Sequence, residues 1–209
     1  MSRVRKILRD PPGTNYYLID ASFLANRYIP VRKLPQAEKE RVEKSLKWWG
    51  EINDQLQRGK AIVYIPDVCI AEAFKVLAKK YYRERVFANV ADYYQTRKRF
   101  IRDIKISVRQ LKSANRLIKF HDISTSRDVI ISVDRFLEFY MKHKPDVSVP
   151  DLIILATAKY LIDFFRIPFE SLFIVSLDEA VCFGSKKIPD IPGAFNPTAR
   201  NETAEKVFQ

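Results

Sequence analysis

Four carboxylates stand at the ends or starts of apolar runs: Asp20 in YYLIDASFL, Glu72 in IPDVCIAEAFKVL, Asp151 in SVPDLIILATA and Asp178 in LFIVSLDEAV. Acids so placed converge on one point if the runs fold into neighbouring strands and helices. Two carboxylates about 4 Å apart repel by roughly 4 kcal/mol near a protein surface, so four in one pocket call for a neutralising cation. A donor set made of oxygen, with no histidine or cysteine beside it, suits one or two Mg²⁺ or Mn²⁺ ions, which keep several of their waters. The chemistry available to such a site is activation of water for attack on a phosphodiester. Each acid also has a plainer use. Asp20 and Asp178 can cap the turns that follow them, Asp151 can balance a helix dipole, and Glu72 can be a solvated helical residue.

The elements that must position these acids are legible as alternating strands and helices. Tyr16 to Ile19 is a buried strand ending at Asp20. Residues 36 to 58 carry Val42, Leu46, Trp49 and Leu56 at roughly helical spacing. Ala61 to Ile65 is a second strand, followed by a helix that Asp67 is expected to cap and that holds Glu72 in its second turn. Leu117 to Phe120 begins a third strand. Thr125 to Asp128 has capping-box spacing ahead of a helix that Pro145 ends. Pro150 suits the first position of a helix whose residues 152 to 165 are apolar nearly all round and are expected to be buried. Leu172 to Val175 is a fourth strand, and Asp178 opens a short helical turn expected to stop at Gly184.

Strands with non-alternating apolar cores, separated by helices, predict an α/β protein with a parallel sheet covered on both faces, in which ligands bind beyond the carboxyl ends of the strands. The expected organisation is one domain over residues 1–195, with a flexible tail over 196–209. There is no internal repeat and no glycine-rich phosphate loop.

The 209 residues carry 37 Lys and Arg against 25 Asp and Glu, a formal charge of +12 that favours a polyanionic partner. The charge is localised: residues 79–119 hold thirteen Lys or Arg and three acids. Within this basic helical insertion Arg83, Arg97, Lys98, Arg99 and Arg102 are candidate RNA contacts, interleaved with Tyr81, Tyr82, Phe87, Tyr93, Tyr94 and Phe100. The alternative is a helical pair whose aromatics form core and whose cations face water. Cys69 and Cys182 lie in apolar segments without metal-ligand spacing and read as reduced core thiols. With no secretory-type or membrane-spanning segment, the chain is expected to be cytoplasmic, without a membrane partner.

Four blocks resemble those of the PIN-domain nucleases, a family that includes the toxin ribonucleases of toxin–antitoxin pairs. LIDASFL looks like the first block and makes Asp20 a ligand and Ser22 its hydroxyl neighbour. IPDVCIAEAFKVL resembles the second, with Glu72, and VPDLIILATAKYL the third, with Asp151. IVSLDEAV resembles the fourth, usually Thr-x-Asp and here Ser176-Leu177-Asp178; Val181 stands near where many members have an aromatic. The resemblance implies a three-layer α/β/α sandwich around a mainly parallel sheet of four or five strands. It also implies a metal-dependent endoribonuclease in which Asp20, Glu72, Asp151 and Asp178 hold Mg²⁺ or Mn²⁺ with Ser22 and Ser176 beside them, and, as partners, RNA, an antitoxin protein and a second copy of the chain. The other classes are a catalytically inactive RNA-binding or assembly module and an aspartyl-phosphate enzyme using Asp20. Asp20-Ala-Ser22 lacks the second acid such hydrolases place two residues on.

Overall fold

The computed structural model describes residues 13–104, 120–123, 125–143, 146–200 and 202–208. In chain order the elements are β1 (Asn15–Ile19), α1 (Ala21–Asn26), α2 (Gln36–Gln57), β2 (Ala61–Pro66), α3 (Asp67–Tyr82), α4 (Val90–Ile104), β3 (Phe120–Ile123), α5 (Arg127–His143), α6 (Val149–Asp163), β4 (Leu172–Val175), α7 (Glu179–Lys187), β5 (Ala194–Phe195) and α8 (Ala204–Val207). The five strands form one sheet in the order β3-β2-β1-β4-β5, with every pairing parallel. Tyr17, Leu18 and Ile19 on the central strand are fully buried whichever face they point to, as a sheet covered on both sides requires. This is the expected α/β/α sandwich.

Strand order decides where a ligand can sit. The chain moves from β1 outward through β2 to β3, then returns to pair β4 on the other side of β1. The crevice beyond the carboxyl ends of β1 and β4 is therefore the topological switch point of the sheet. Leu18 is in register with Ile174 and Ile19 with Val175, so the residues that follow both strands, Asp20 and Ser176 to Asp178, emerge side by side.

The helical boundaries differ from the sequence expectations at particular residues. Asp67 is the first residue of α3 rather than its cap, and Pro66 precedes it without a side-chain bond. The hydroxyl that caps α5 belongs to Ser126, which accepts from the Val129 N–H at 3.3 Å, one residue beyond the expected Thr125. On α6 residues Leu152 to Ala158 and Leu161 are buried, but Phe164 and Phe165 are exposed beyond its end. α1, six residues long, is too short to leave a periodic pattern.

Gly184 does not stop α7, which runs on to Lys187. Its role is close approach. A Cβ at position 184 would run into the hydroxyl of Tyr140 and lie 3.0 Å from Leu155 Cδ1. That hydroxyl is itself held, donating to the Ala180 carbonyl. Gly184→Ala is therefore expected to destabilise the fold by about 2 kcal/mol through overpacking, lowering the urea midpoint. An unchanged midpoint would show that the α5–α7 contact is loose.

Within the expected tail, residues 196–200 and 202–208 are described, and α8 lies among them. Phe208 is buried edge-on against Tyr17 at 4.8 Å, Trp48 at 5.0 Å and Phe173 at 5.4 Å, and so covers one face of β1 and β4. The basic insertion is built on a helical hairpin. Phe74 on α3 meets Phe100 on α4 at 4.7 Å and Tyr81 stacks on Tyr93 at 4.5 Å, which makes the two helices antiparallel. Residues 105–119 of the insertion, and with them the expected start of the third strand at Leu117, lie outside the described residues; so does Pro145.

Candidate active site

A cavity of about 460 Å³ opens at the switch point, lined by Asp20, Ser22, Glu72, Asp151 and Asp178 together with Ala21, Asp146, Val147, Ser148 and Ile154. All four acids singled out in the sequence thus face one space, from four different elements. Asp146, on the loop before α6, is a fifth carboxylate that the sequence reading did not single out. The only signal for it was its position five residues ahead of Asp151 in DVSVPD.

Asp20 is the most constrained of them. It is only 4% exposed and caps α1, with Oδ1 accepting from the Phe23 N–H at 2.6 Å. Oδ2 accepts from the Leu177 N–H at 3.0 Å and from the Ser176 hydroxyl. Burial drives the carboxyl up to about 6, against the pull of these three donors, and the nearby charge of Asp151 adds to the rise. Ser176, fully buried, ties the site across the sheet: it donates to Asp20 and accepts from the Asp178 N–H at 3.0 Å. The hydroxyl of the Ser-x-Asp block therefore orients two acids at once.

The other acids keep an oxygen outside their own hydrogen bonds. Asp178 uses Oδ1 to cap α7 through the Ala180 N–H at 2.7 Å. Asp151 uses Oδ2 to close a capping box with the backbone and hydroxyl of Ser148. The plain capping roles are thus real, and each is compatible with a second role for the remaining oxygen. Asp151 is raised by burial and further by the charge of Asp178, while Ser148 opposes the rise. Glu72 is raised by burial, then by Asp151 and Asp178, with exposed Lys75 countering in part. Burial is the main cause of the upward shift on all three carboxyls, and repulsion from a neighbouring acid adds to each.

Asp20, Glu72, Asp151 and Asp178 present the donor type that a hard divalent cation takes. Their donors are carboxylate oxygens, and 460 Å³ exceeds the roughly 200 Å³ that an ion with six waters fills at about 30 Å³ per water. Among the described residues no three carboxylate, imidazole or thiol groups stand close enough together to hold a metal ion between them as they are placed. Cys69 takes no part: buried behind the acids, its thiol is pushed up by burial and by the charges of Asp20 and Glu72. Cys182 is pushed up to about 12, mainly by burial, and both thiols are free.

The basic candidates divide. Arg83, Lys98, Arg99 and Arg102 are exposed, Arg99 and Arg102 lying beside Asp103 at 3.9 and 3.4 Å, whereas Arg97 is half-buried over the rings of Phe74 and Tyr93. Phe87, Tyr93 and Phe100 are core residues, as the plainer reading held, while Tyr82 and Tyr94 are exposed.

The fold around this acid-lined crevice is PIN-like. Solved structures to which the chain is similar include FitAB bound to an IR36 DNA fragment, 17% identical, with a TM-score of 0.52 over 89% of this chain and 98% of that one. FitAcB from Neisseria gonorrhoeae aligns at 19% identity and a TM-score of 0.49, covering 87% and 97% of the two chains. VapBC2 from Rickettsia felis bound to a DNA fragment from their promoter aligns at 13% and 0.47, covering 87% and 98%. No family model and no curated protein matches the sequence. Among the described residues no helix is long and apolar enough to cross a membrane.

Proposed function

We propose that the protein is a divalent-metal-dependent endoribonuclease whose active site is the acid-lined cavity at the switch point. The observation that carries this reading is the opening of Asp20, Glu72, Asp151 and Asp178 into one cavity, with three of the four held above the ordinary carboxylate range by burial and one another. Capping explains one oxygen of Asp151 and of Asp178, but it does not require the acids to open into one space, and a cation there would offset the repulsion between them. Mg²⁺ or Mn²⁺ held there supplies positive charge for a phosphate and a means of lowering the pKa of a water.

The chain's own part is positional. Asp20, fixed by Phe23, Leu177 and Ser176, is the rigid anchor of the donor set. Asp151 and Asp178 offer their second oxygens, and Glu72 closes the site from α3. Ser22, exposed at the rim, is placed to contact water or phosphate. A carboxylate this buried, accepting three hydrogen bonds, is poorly disposed for use as an aspartyl nucleophile. The charge of +12 and the exposed cations of the α3/α4 hairpin support a polyanionic partner, which the family resemblance makes RNA. An antitoxin protein, a second copy of the chain and a cytoplasmic setting come with the family resemblance.

Ser176 is expected to act through Asp20. Ser176→Ala should lower cleavage about tenfold and raise the Asp20 pKa, read by carboxyl NMR titration, and Ser176→Thr should restore both. Cleavage and titration unchanged in the alanine variant would mean that the hydroxyl only packs.

The reading is tested with a mixed single-stranded RNA pool. Fragments are expected with Mn²⁺ and not with EDTA. Intact RNA in the presence of Mn²⁺, from a folded protein that binds the pool, would instead support the second reading, an RNA-binding module. The absence of a closed cage among the described carboxylates favours that alternative.

A further inference from the structure

The α3/α4 hairpin carries a second cavity, of about 410 Å³, lined by Lys33, Tyr81, Tyr82, Arg85, Phe87 and Asn89, with Ala88 between the last two. Its aromatic wall is ordered from the inside. Tyr81 and Tyr93 stack at 4.5 Å with planes 4° apart, and Tyr82 leans edge-on against them at 4.7 and 5.9 Å. Phe87 and Tyr93 are buried, whereas Tyr82 is 68% exposed. A ring fixed along one edge and open to solvent is a stacking platform, and base–aromatic stacking tolerates any base.

The cations at this cavity come from separate places. Lys33 belongs to the turn after α1, and Arg85 to the turn that ends α3. Neither has a carboxylate partner among the described residues. Arg85 sits at φ +51°, in the left-handed region, where the Val86 N–H reaches back to the Lys80 carbonyl at 2.9 Å. Glycine is the unstrained residue at such a position, and arginine there costs about 1 kcal/mol. Strain retained at an unpaired cation on a cavity wall points to use of the side chain.

The cavity and the acids share one helix: α3 carries Glu72 in its second turn and ends at Tyr82. Across the hairpin the Arg97 guanidinium lies 5.6 Å from the Tyr93 ring and 5.7 Å from that of Phe74. Ten helical residues separate Glu72 from Tyr82, about 15 Å, or about four stacked nucleotides at 3.4 Å each.

We propose that this aromatic and cationic cavity is a second subsite for the RNA strand, in which a base about four nucleotides from the scissile phosphate stacks on Tyr82 and neighbouring phosphates lie on Lys33, Arg85 and Arg97. The inference rests on the nuclease reading for the identity of its ligand. It is tested by fluorescence anisotropy of a labelled 12-nucleotide oligouridylate in EDTA, beside thermal melts. Tyr82→Ala is expected to weaken binding about tenfold, and Tyr82→Phe by no more than about twofold. Arg85→Gly should melt no lower than the wild type, because it relieves the backbone, yet bind several-fold more weakly with a salt slope smaller by about one. If Tyr82→Ala and Arg85→Gly both bind like a wild type that itself binds the oligomer and cleaves the RNA pool, the subsite is overturned, the nuclease reading stands, and the exposed ring is left as a protein contact. A wild type that binds no RNA overturns both.

Discussion

Asp20→Asn is expected to lower metal-dependent cleavage of single-stranded RNA by at least about a thousandfold, some 4 kcal/mol of transition-state stabilisation, while leaving the protein folded and its RNA affinity within about twofold. The loss follows from position. Asp20 is the acid held by three donors at the junction of β1 and β4, so no neighbour can move in to replace it. The fold should survive because two changes oppose each other. A carboxyl raised to about 6 costs the cation-free native state about 3 kcal/mol at neutral pH, and asparagine removes that cost. Asparagine can still accept from Phe23, but it leaves the Leu177 N–H without its acceptor, a loss of about 1–3 kcal/mol. Turnover equal to wild type would end the proposed mechanism. A variant that fails to fold would be replaced in the test by Asp151→Asn, whose carboxyl is less buried.

The second large effect is on stability. Between the unfolded carboxyl value near 4 and the folded value of about 6, Asp20 holds a proton in the native state that it has lost in the unfolded one. Cation-free stability from this group is therefore full below about pH 4, is lost as pH rises through about 6, and stays low above it; Glu72 and Asp151, also raised, act in the same direction. A divalent cation at about 100 times its Kd contributes about 2.7 kcal/mol to the native state. The melting temperature at pH 7.5 should rise by about 5–10 °C on adding Mn²⁺. At pH 5, where protons compete for the same oxygens, the rise should shrink to a small fraction of this. A shift of equal size at both pH values, or one that persists in Asp20→Asn, would place the ion elsewhere on the protein.

How far the sequence discloses this arrangement depends on whether the signal is local. The apolar runs of β1, β2 and β4, with Asp20, Glu72 and Asp178 at or soon after their ends, and the apolar run of α6 that Asp151 opens are local, and they lead to the sheet, the switch point and all four cavity acids. Ser176 is legible through its place in the Ser-x-Asp block, although its bond to Asp20 joins residues 156 apart. What escapes is set by distant packing. Gly184 looks like a helix stop because glycine commonly ends helices, and only the approach of Tyr140 from α5 explains its presence inside α7. The proline-rich end of the chain looks like a tail because the surface that Phe208 covers is made by Tyr17, Trp48 and Phe173. Asp146 escapes because nothing in its immediate neighbours marks a loop that turns back over the acids. The mixture of stacking and core aromatics in the basic hairpin has the same origin: Tyr82 and Tyr93 have the same chemistry, and the pairing of α3 with α4 alone buries one and exposes the other.

The most direct test of the central claim is a denaturing-gel time course on one end-labelled single-stranded RNA, with wild type and Asp20→Asn at concentrations that bind the RNA equally, each with Mn²⁺ and with EDTA. Fragments that accumulate only in the lane combining wild type with Mn²⁺ are the predicted result. Fragments of equal yield from Asp20→Asn, or from wild type in EDTA, would show that the cavity lined by Asp20, Glu72, Asp151 and Asp178 is not where the strand is cut.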